Sequence, residues 1–433
     1  MARTKTLPTI TDFNHIPDEA LIPPHEQPYP LPEHWKWVRL GCVVRVSKEK
    51  TDVFTSDQYY VGLENLESGG GLSNVSRADG VKSTKSVFNA GHVLYGRLRP
   101  YLDKHVVADF SGVCSTDILV FETCSVLDPR FFDAWLSTST FRNAAINHSK
   151  GINLPRISES MLAQFPVPLP PLEVQHRIVS YLDKNLARID EVTEKLEEFL
   201  EDTKTKTENL LQAAVQGHLT KGWREQHHEL EGEWKSTTLG VAFAWSSGGT
   251  PSRKKPEYYT GDIPWVKSGE LQDGVIEETE EHITKEAIDE SSAKLFPKGS
   301  VVIAMYGDGT VGNVGILGVD AATNQAVAVA RSTKHTFARY LFFYLRANRK
   351  RIIASGKGGA QRNISQQVIK ALPYEQPPLA EQEEILRLID LNLDAFSQAS
   401  VLVQKALDAL AANRRVLVSA VLAGELSLGS AME

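Results

Sequence analysis

A stretch that occurs twice decides the fold. Residues 164–186 are QFPVPLPPLEVQHRIVSYLDKNL, and residues 371–393 are ALPYEQPPLAEQEEILRLIDLNL. Each double proline opens a segment without glycine or proline that continues to Gly217 or to Gly424. Proline is excluded from helix interiors, and glycine is the usual residue just past a helix C-terminus. The pattern therefore predicts two long helices, about 172–217 and 379–424, each on the order of 65 Å long.

Other landmarks of the chain repeat in the same order. The matched pairs are Trp35 and Trp234, Phe88 and Phe296, Lys150 and Lys357, and Ser158 and Ser365. Short apolar runs such as 117–121 and 300–307 predict strands, and the stretches 131–146 and 338–353 predict helices. We therefore expect a mixed, strand-rich α/β domain before each long helix, arranged as an internal pseudo-two-fold repeat. The expected divisions are an N-terminal extension 1–33, domain 1 at 34–170, a helix and linker 171–229, domain 2 at 230–376 and a C-terminal helix 377–433.

Both predicted helices have an apolar seam. Alternating steps of four and three from Ile178 and from Ile385 meet mostly apolar residues over five heptads, which is typical of a coiled coil. A single amphipathic helix packed on a globular domain is the alternative. Matching seam steps are asparagine in both helices, and a polar seam residue can fix register. The predicted facing pairs of an antiparallel coiled coil are Asn185 with Asn413, Lys206 with Asn392, and Phe199 with Ala399.

Composition excludes several classes of protein. No apolar run approaches the ~20 residues of a membrane helix, and the N-terminus lacks the apolar core of a secretory signal. The three cysteines, Cys42, Cys114 and Cys124, form no CxxC pair. A disulfide framework and a four-cysteine zinc site are therefore not expected, and a cytoplasmic location is.

The formal net charge of −7 is distributed unevenly. Residues 34–170 and 234–376 carry +2 and +4, whereas residues 171–229 and 377–433 carry −4 each. A chain that contacts DNA with its globular domains and protein with its helices would have this pattern. Modest differences of charge without functional meaning are the alternative.

The first candidate DNA contacts lie in a turn-like segment of each copy. Residues 95–104 include Arg97, Arg99 and Lys104, and arginine both reads guanine edges and binds phosphate. The corresponding segment of copy two contains Gly307 and Gly309 in a formal GxGxxG. A dinucleotide site would need a helix to open there, but a strand-like stretch follows. A tight turn whose backbone NH groups meet a DNA phosphate is favoured; a solvated basic loop is the alternative for residues 95–104.

A second basic cluster follows the helical stretch of each domain. The candidate DNA contacts are Lys150 and Arg156 in domain 1, and Arg349, Lys357, Gln361 and Arg362 in domain 2. Glutamine and arginine are side chains that can read bases. Because basic residues recur beside a glycine-rich loop in both copies, DNA contact is the favoured interpretation.

Motifs for catalysis are absent from the sequence. It has no P-loop, no Asn-Pro-Pro-aromatic tetrapeptide for adenine methylation, no HExxH and no GxSxG. No carboxylate pair indicates a nuclease site. The sequence therefore predicts a binding protein with no catalytic, cofactor-binding or metal-binding residues of its own.

The duplicated motifs resemble those of one family. Two Trp-x-x-x-x-Leu-Gly openings and two Pro-Pro-Leu-x-x-Gln-x-x-Ile motifs, at 170–178 and 377–385, alternate with two α/β domains. Over about residues 25–428 the chain resembles the specificity subunits of type I restriction-modification systems. The resemblance implies two target recognition domains, each of which reads one half of a bipartite site in double-stranded DNA. It also implies that antiparallel helices space these domains and dock two methyltransferase subunits.

The same resemblance implies partners that carry the chemistry. Methyltransferase subunits would use S-adenosylmethionine to methylate adenine N6, and restriction motor-nuclease subunits would use ATP and Mg²⁺. The chain itself would hold no cofactor. A non-enzymatic coiled-coil adaptor with two protein-binding domains is the competing interpretation, and steeply salt-dependent DNA binding would separate the two.

Overall fold

A computed structural model describes residues 7–227, 234–307, 309–331, 333, 336–356 and 363–426. The chain divides into two compact units, residues 1–195 with 405–433, and residues 196–404. Each unit contains one α/β domain and one end of each long helix. Among the described residues, no helix is both long enough and apolar enough to cross a membrane.

The first unit contains most of the elements that precede the midpoint of the chain. Its strands are β1 (Lys36–Arg39), β2 (Val44–Val46), β3 (Lys50–Thr51), β4 (Tyr59–Val61), β5 (Ser76–Arg77), β6 (Lys85–Phe88), β7 (Val93–Gly96), β8 (His105–Val107), β9 (Gly112–Cys114), β10 (Ile118–Thr123) and β11 (Pro166–Leu169). Its helices are α1 (Leu40–Val43), α2 (Pro129–Leu136), α3 (Ser139–Asn147), α4 (Glu159–Leu162), the first part of α5 (Leu172–Val215) and the last part of α12 (Leu379–Leu422).

The second unit repeats this order. Its helices are the last part of α5, then α6 (Lys221–Gln226), α7 (Leu239–Ala242), α8 (Lys285–Asp289), α9 (Ala338–Ala347), α10 (Arg349–Ala354), α11 (Gln366–Lys370) and the first part of α12 (Leu379–Leu422). Its strands are β12 (Lys235–Thr238), β13 (Ala244–Ser247), β14 (Ile263–Val266), β15 (Gly274–Ile276), β16 (His282–Ile283), β17 (Leu295–Phe296), β18 (Val301–Ala304), β19 (Val314–Leu317), β20 (Ala321–Thr323), β21 (Val327–Arg331) and β22 (Pro373–Gln376).

Two larger sheets form the body of each domain. In the first unit their strand orders are β2-β10-β7-β8 and β3-β6-β9-β4-β5. In the second unit the orders are β13-β21-β18-β19-β15 and β16-β14-β20-β17. The sheet β3-β6-β9-β4-β5 of the first unit contains one parallel pair, β4 with β9. The sheet β16-β14-β20-β17 of the second unit contains the corresponding parallel pair, β14 with β20. The predicted mixed, strand-rich α/β domain and its duplication are confirmed.

The predicted helical stretches 131–146 and 338–353 are each divided into two helices. α3 begins anew after α2 because Thr138 caps it, with its hydroxyl oxygen accepting from the Phe141 NH at 3.3 Å. α9 and α10 are separated at Asn348, whose side chain donates to the Tyr344 carbonyl at 2.9 Å. The predicted strand segments 117–121 and 300–307 form the core of β10 and β18.

A buried glutamine explains the motif at the start of each long helix. Gln175 is fully buried; its amide donates to the carbonyls of Val126 and Pro170 at 2.8 Å each, and its oxygen accepts from the Asp128 NH at 2.8 Å. In the second unit, Gln382 is equally buried. It donates to the Pro377 carbonyl at 2.8 Å and accepts from the Phe337 NH at 3.0 Å. The motif thus joins each long helix to the start of α2 or α9.

Both long helices end as predicted, on a left-handed glycine. Gly217 and Gly424 have φ of +74° and +72°. In each copy the NH of the residue after the glycine bonds a carbonyl five residues back, as His218 does to Ala213 at 2.9 Å and Glu425 does to Ala420 at 3.0 Å. This is the Schellman arrangement, which satisfies the last carbonyls of a helix.

The carboxylate of Glu381 organises the segment that follows Gly217. Glu381 is 2% exposed and accepts from the Thr220 hydroxyl at 2.6 Å, from the Trp234 indole NH at 2.7 Å and from the Arg224 guanidinium. The matching residue in copy one is Val174. A buried carboxylate needs such donors because desolvation of an isolated charge is costly.

The two long helices pack antiparallel, as predicted. In each unit, residues from the start of one helix share an apolar cluster with residues from the end of the other. The first-unit members are Ile178, Leu182, Val418, Val421 and Leu422, and the second-unit members are Leu211, Ala214, Val215, Ile385 and Ile389.

In the second half of each long helix, the buried residues are no longer those at the predicted heptad positions. Thr203 is buried, but the next predicted step, Lys206, is exposed and Thr207 is half-buried in its place. In α12 the predicted step Asn413 is exposed, whereas Arg414 is half-buried. A straight α-helix drifts by ~20° per heptad relative to a strict 3.5-residue repeat. A seam counted in heptads therefore rotates out of the interface.

The predicted register is accordingly wrong where it places Lys206 and Asn413 in the seam. Lys206 pairs with Asp202 on its own helix, with Nζ and Oδ2 2.7 Å apart. Asn185 and Asn392 are half-buried, but their amides donate at 2.8 Å to the carbonyls four residues earlier in their own helices. The pairing of Phe199 with Ala399 stays a prediction.

The N-terminal extension contributes to the first unit's core from Ile10 onward. Ile10 and Ile22 are at most 3% exposed and belong to the same apolar cluster as Trp37 and Trp135. The Ile10 NH bonds the Cys42 carbonyl at 2.8 Å, and the Ile22 NH bonds the Trp37 carbonyl at 3.0 Å.

Candidate nucleic-acid interface

The first candidate segments are the tips of equivalent hairpins. The β7–β8 tip (residues 97–104) and the β18–β19 tip (residues 305–313) connect antiparallel strands at matching positions of the two main sheets. The chain returns as β19 after Gly312, so no helix opens behind the glycines. The predicted tip between two strands is confirmed among the described residues, and the helix that a dinucleotide site needs is not there.

The second basic cluster of domain 1 lies directly beside the β7–β8 tip. The Arg99 NH donates to the Pro155 carbonyl at 2.7 Å, and the Ile157 NH donates to the Arg97 carbonyl at 3.1 Å. In the second unit, the matching bond joins the Ile364 NH to the Met305 carbonyl at 2.8 Å. In each domain, the isoleucine that follows the loop after the helices therefore bonds the hairpin tip.

The candidate cations of domain 1 differ in how far solvent reaches them. Arg99 and Lys150 are exposed. Arg156 is held by two 3.1 Å bonds to the Asp117 carboxylate, and the Lys104 ammonium donates to the Leu63 carbonyl at 2.6 Å. Arg97 is half-buried. Arg99 and Lys150 are thus the members best placed to meet a phosphate or a base.

Arg349 has an internal role instead of the predicted exposed one. Its Nε donates to the Gly312 carbonyl at 3.0 Å and its Nη2 pairs with the Asp273 carboxylate, so the guanidinium joins α10 to the β18–β19 tip. Arg142, the matching residue of copy one, bonds the Asp103 carboxylate at 3.1 Å within the β7–β8 tip. Both arginines are half-buried and support the tips through these bonds.

Backbone geometry explains the glycines of the second tip. Gly307 and Gly309 have φ of +136° and +70°. A β-carbon at Gly307 would lie 2.5 Å from the Thr310 hydroxyl oxygen, so only glycine fits without displacement. Lys357, Gln361 and Arg362, predicted as DNA contacts, lie outside the described residues.

Reasoning from sequence missed the apex of the loop in domain 1. Ile152 is 100% exposed, Leu154 is 47% exposed and Asn153 between them is exposed. Apolar side chains at a loop apex between Lys150 and Arg156 were a visible signal, but only the structure shows that they point away from the core.

A buried ionisable cluster underlies the β7–β8 tip. His105 is 2% exposed; its Nδ1 is 2.8 Å from Asp133 Oδ1 and its Nε2 is 3.8 Å from Asp103 Oδ1. Burial alone would lower the pKa of His105, but the Asp133 and Asp103 carboxylates outweigh it and hold that pKa above its ordinary value. Burial raises the pKa of Asp103 against the opposing influence of His105 and Arg142. The cluster fixes residue 103, whose φ of +53° is left-handed.

Within the described ranges, no three His, Cys, Asp or Glu side chains are grouped so as to hold a metal ion.

The chain is similar to curated proteins over part of its length. The chain is 32% identical over 234 residues to the type I restriction enzyme EcoDI specificity subunit of Escherichia coli, covering 52% of each chain. It is 27% identical over 269 residues to the EcoR124I/EcoR124II specificity subunit of E. coli, covering 59% of this chain and 61% of that one. The matched region thus spans about half to three-fifths of each of these relatives.

Solved structures show the same fold. A structure from work on complex assembly and conformational transition of the type I R-M system superposes with a TM-score of 0.73 at 21% identity, covering 92% of this chain and all of that one. The HsdS subunit from Thermoanaerobacter tengcongensis gives 0.58 at 21% identity, covering 93% and 100%.

The family model named "Type I restriction modification DNA specificity domain" matches residues 32–202 and again residues 231–398. Each match covers one copy of the domain and the first part of the long helix that follows it. They cover well over half of the sequence. The chain therefore belongs to the family of type I restriction-modification DNA specificity proteins.

Proposed function

We propose that the chain is the sequence-specific DNA-recognition subunit of a type I restriction-modification complex. Domain 1 and domain 2 each bind one half of a bipartite site in double-stranded DNA. The observation that carries the proposal is the equivalent pairing of a hairpin tip with the adjacent loop in both domains, through the bonds at Ile157 and Ile364. In domain 1 this surface exposes Arg99 and Lys150, the side chains that bind phosphates and base edges.

The exposed face of α12 supports docking of a partner through helices. Leu391 and Leu402 are 60% and 66% exposed and lie three turns apart in the second unit, while Val416 is 66% exposed in the first. These are single apolar side chains open to water on a helix that already packs along its other face, and their burial against a partner would be favourable. Methyltransferase subunits, one for each domain, are the proposed occupants.

The chemistry belongs to those partners in this proposal. The methyltransferase subunits bind S-adenosylmethionine and methylate adenine N6, and restriction motor-nuclease subunits use ATP and Mg²⁺. The chain holds no catalytic residue and acts where the host DNA is, in the cytoplasm. Its helices space the two recognition domains and thereby the two half-sites.

Methylation mapping tests the proposal. DNA from a host that expresses the chain with its methyltransferase partner should contain N6-methyladenine in one bipartite motif, and omission of the chain should abolish it. Binding to a duplex with that motif should weaken steeply with salt, because phosphate contacts release counterions. Methylation without a defined motif, or an unchanged motif without the chain, would reject the proposal.

A further inference from the structure

The loop of domain 1 that follows α3 ends in a projecting apex. Lys150 and Arg156 bond each other's backbone in both directions, with both N–O distances at 2.9 Å, so residues 151–155 form a loop closed by one antiparallel β-bridge, the shortest form of a two-stranded ribbon. The side chains at its end are Ile152, Asn153 and Leu154, all exposed. A fully exposed isoleucine beside exposed cations is unusual, since apolar groups at a surface favour burial against a partner.

The apex is held in place by bonds on each side. Gly151 has φ of +113°, and a β-carbon there would lie 2.9 Å from the Leu154 carbonyl oxygen, so the turn is closed tightly. The Arg99 NH holds the Pro155 carbonyl at 2.7 Å. Two hydrogen bonds from the Arg156 guanidinium to the Asp117 carboxylate fix the base of this loop. Because these bonds already fix the conformation of the loop, a contact at Ile152 has a lower entropic cost on binding.

Three chemical features of the apex match one base pair. The major groove of DNA admits a two-stranded β-ribbon, and only there does thymine display its methyl group. Asparagine forms two hydrogen bonds with the adenine edge in the same groove. An aliphatic side chain adjoining such an asparagine can cover the thymine methyl, and the exposed Arg99 and Lys150 flank the apex where phosphates would lie.

We infer that this apex reads an A·T base pair in the half-site bound by domain 1. Asn153 hydrogen-bonds the adenine, Ile152 packs on the thymine methyl, and Leu154 shields that contact from water. The inference rests on the proposed DNA-recognition function, and it names one base pair of the site and the residues that recognise it. The matching sequence of domain 2, Gly358-Gly359-Ala360-Gln361, contains no large aliphatic residue, so the effect is confined to one half-site.

The experiment uses the full chain in complex with its methyltransferase partner and the mapped motif. Exchange of residues 34–170 for those of another family member identifies which half-site domain 1 binds. Duplexes are then made in which each thymine is replaced, one at a time, by deoxyuridine, which lacks only the methyl group. One replacement in that half-site should weaken wild-type binding about four-fold, the equivalent of one buried methyl group.

Variants identify the residues responsible. Ile152→Ala should bind the thymine and deoxyuridine duplexes equally, and Asn153→Ala should lose discrimination for adenine at that pair by roughly ten-fold or more. Val53→Ala is the matched control, because Val53 is 80% exposed elsewhere in the same domain; this variant should keep the wild-type preference.

Other outcomes overturn the inference. It fails if the half-site of domain 1 has no A·T pair, if no single deoxyuridine weakens binding, or if Ile152→Ala shows the same preference for thymine as the wild type. In these cases a defined methylated motif still upholds the proposed function. If the wild-type complex has no such motif, the proposed function fails and the inference fails with it.

Discussion

Arg142 and Arg349 occupy the same position in the repeat and hold aspartates that are not equivalent. Asp103 lies in the β7–β8 tip, whereas Asp273 lies in the loop before β15, yet their φ values are +53° and +60°. The left-handed region is uncommon for residues other than glycine, although aspartate tolerates it better than most, and in each tip region a guanidinium secures such an aspartate. The position of the arginine persisted while its partner changed.

Arg349→Ala should therefore destabilise the second unit. It removes charged hydrogen bonds to Asp273 and Gly312, which are worth about 2 kcal/mol in partly buried settings. Denaturant unfolding measures the loss, with Lys350→Ala as the control because its pair with Glu208 is on the surface and should contribute less than about 1 kcal/mol. Unchanged stability together with a smaller salt slope for DNA binding would instead make Arg349 a direct phosphate contact.

Arg99→Gln should give the opposite result. Arg99 is exposed, so stability should change by less than about 0.5 kcal/mol. If Arg99 binds a phosphate, the slope of log K against log salt should fall by about one. A titration of binding across salt concentrations measures this, and an unaltered slope with unaltered motif preference would remove Arg99 from the interface.

His105 should make the stability of the first unit depend on pH. Because its folded pKa is raised, the protonated ring contributes stability that is fully present below the ordinary pKa of 6.5 and is lost as pH rises through the folded pKa. The free energy of unfolding should thus fall from mildly acidic to alkaline pH, and His105→Gln should flatten that fall. His25→Gln, at an exposed position, should leave the profile intact; an identical profile for both variants would contradict the assignment.

At the scale of elements, the start of each long helix depends on one buried amide. Gln175→Ala would leave the Asp128 NH and two carbonyls without their partner, and each such buried group costs about 1–3 kcal/mol. The first unit should lose several kcal/mol of stability in denaturant unfolding. Gln216→Ala, at an exposed position just past the end of the same helix, is the control; similar small effects of both would show that Gln175 is dispensable.

The long helices could be predicted because their limits are local. Pro170 and Gly217 act through their own backbone geometry, which any sequence context preserves. The seam beyond Thr203 could not be predicted as counted, since a drift of ~20° per heptad accumulates. The partners of Arg349 and Lys104 could not be predicted from the sequence for another reason. Asp273 and the Leu63 carbonyl are distant from them in sequence, and only the folded sheets bring them near.

At the scale of the molecule, duplication accounts for the architecture, and divergence accounts for its asymmetry. The two units share sheet order, caps and helix ends, and Ser158 and Ser365 even cap α4 and α11 with identical 3.3 Å bonds. Glu381 has no acidic counterpart at Val174. The apolar apex at Ile152 likewise belongs to one copy. Two domains with one framework and different surfaces suit the recognition of an asymmetric site.

The glycine that follows each long helix lies against a tryptophan of the same unit. A side chain on Gly217 would collide with the ring of Trp234, and one on Gly424 would collide with Pro32 and lie beside Trp35. In the second unit, residues 218–233 connect the glycine to its tryptophan along the chain. In the first unit, the equivalent contact joins opposite ends of the sequence without any covalent connection.

The order of the two halves along the polypeptide is therefore arbitrary as far as packing is concerned. A circular permutant, opened between residues 227 and 234 and with residue 433 joined to residue 1 through a short Gly-Ser linker, keeps every contact within each unit. Its unfolding midpoint and its methylated motif should match those of the parent chain. A permutant that folds but methylates a different motif would show that the connection at 218–233 takes part in recognition itself.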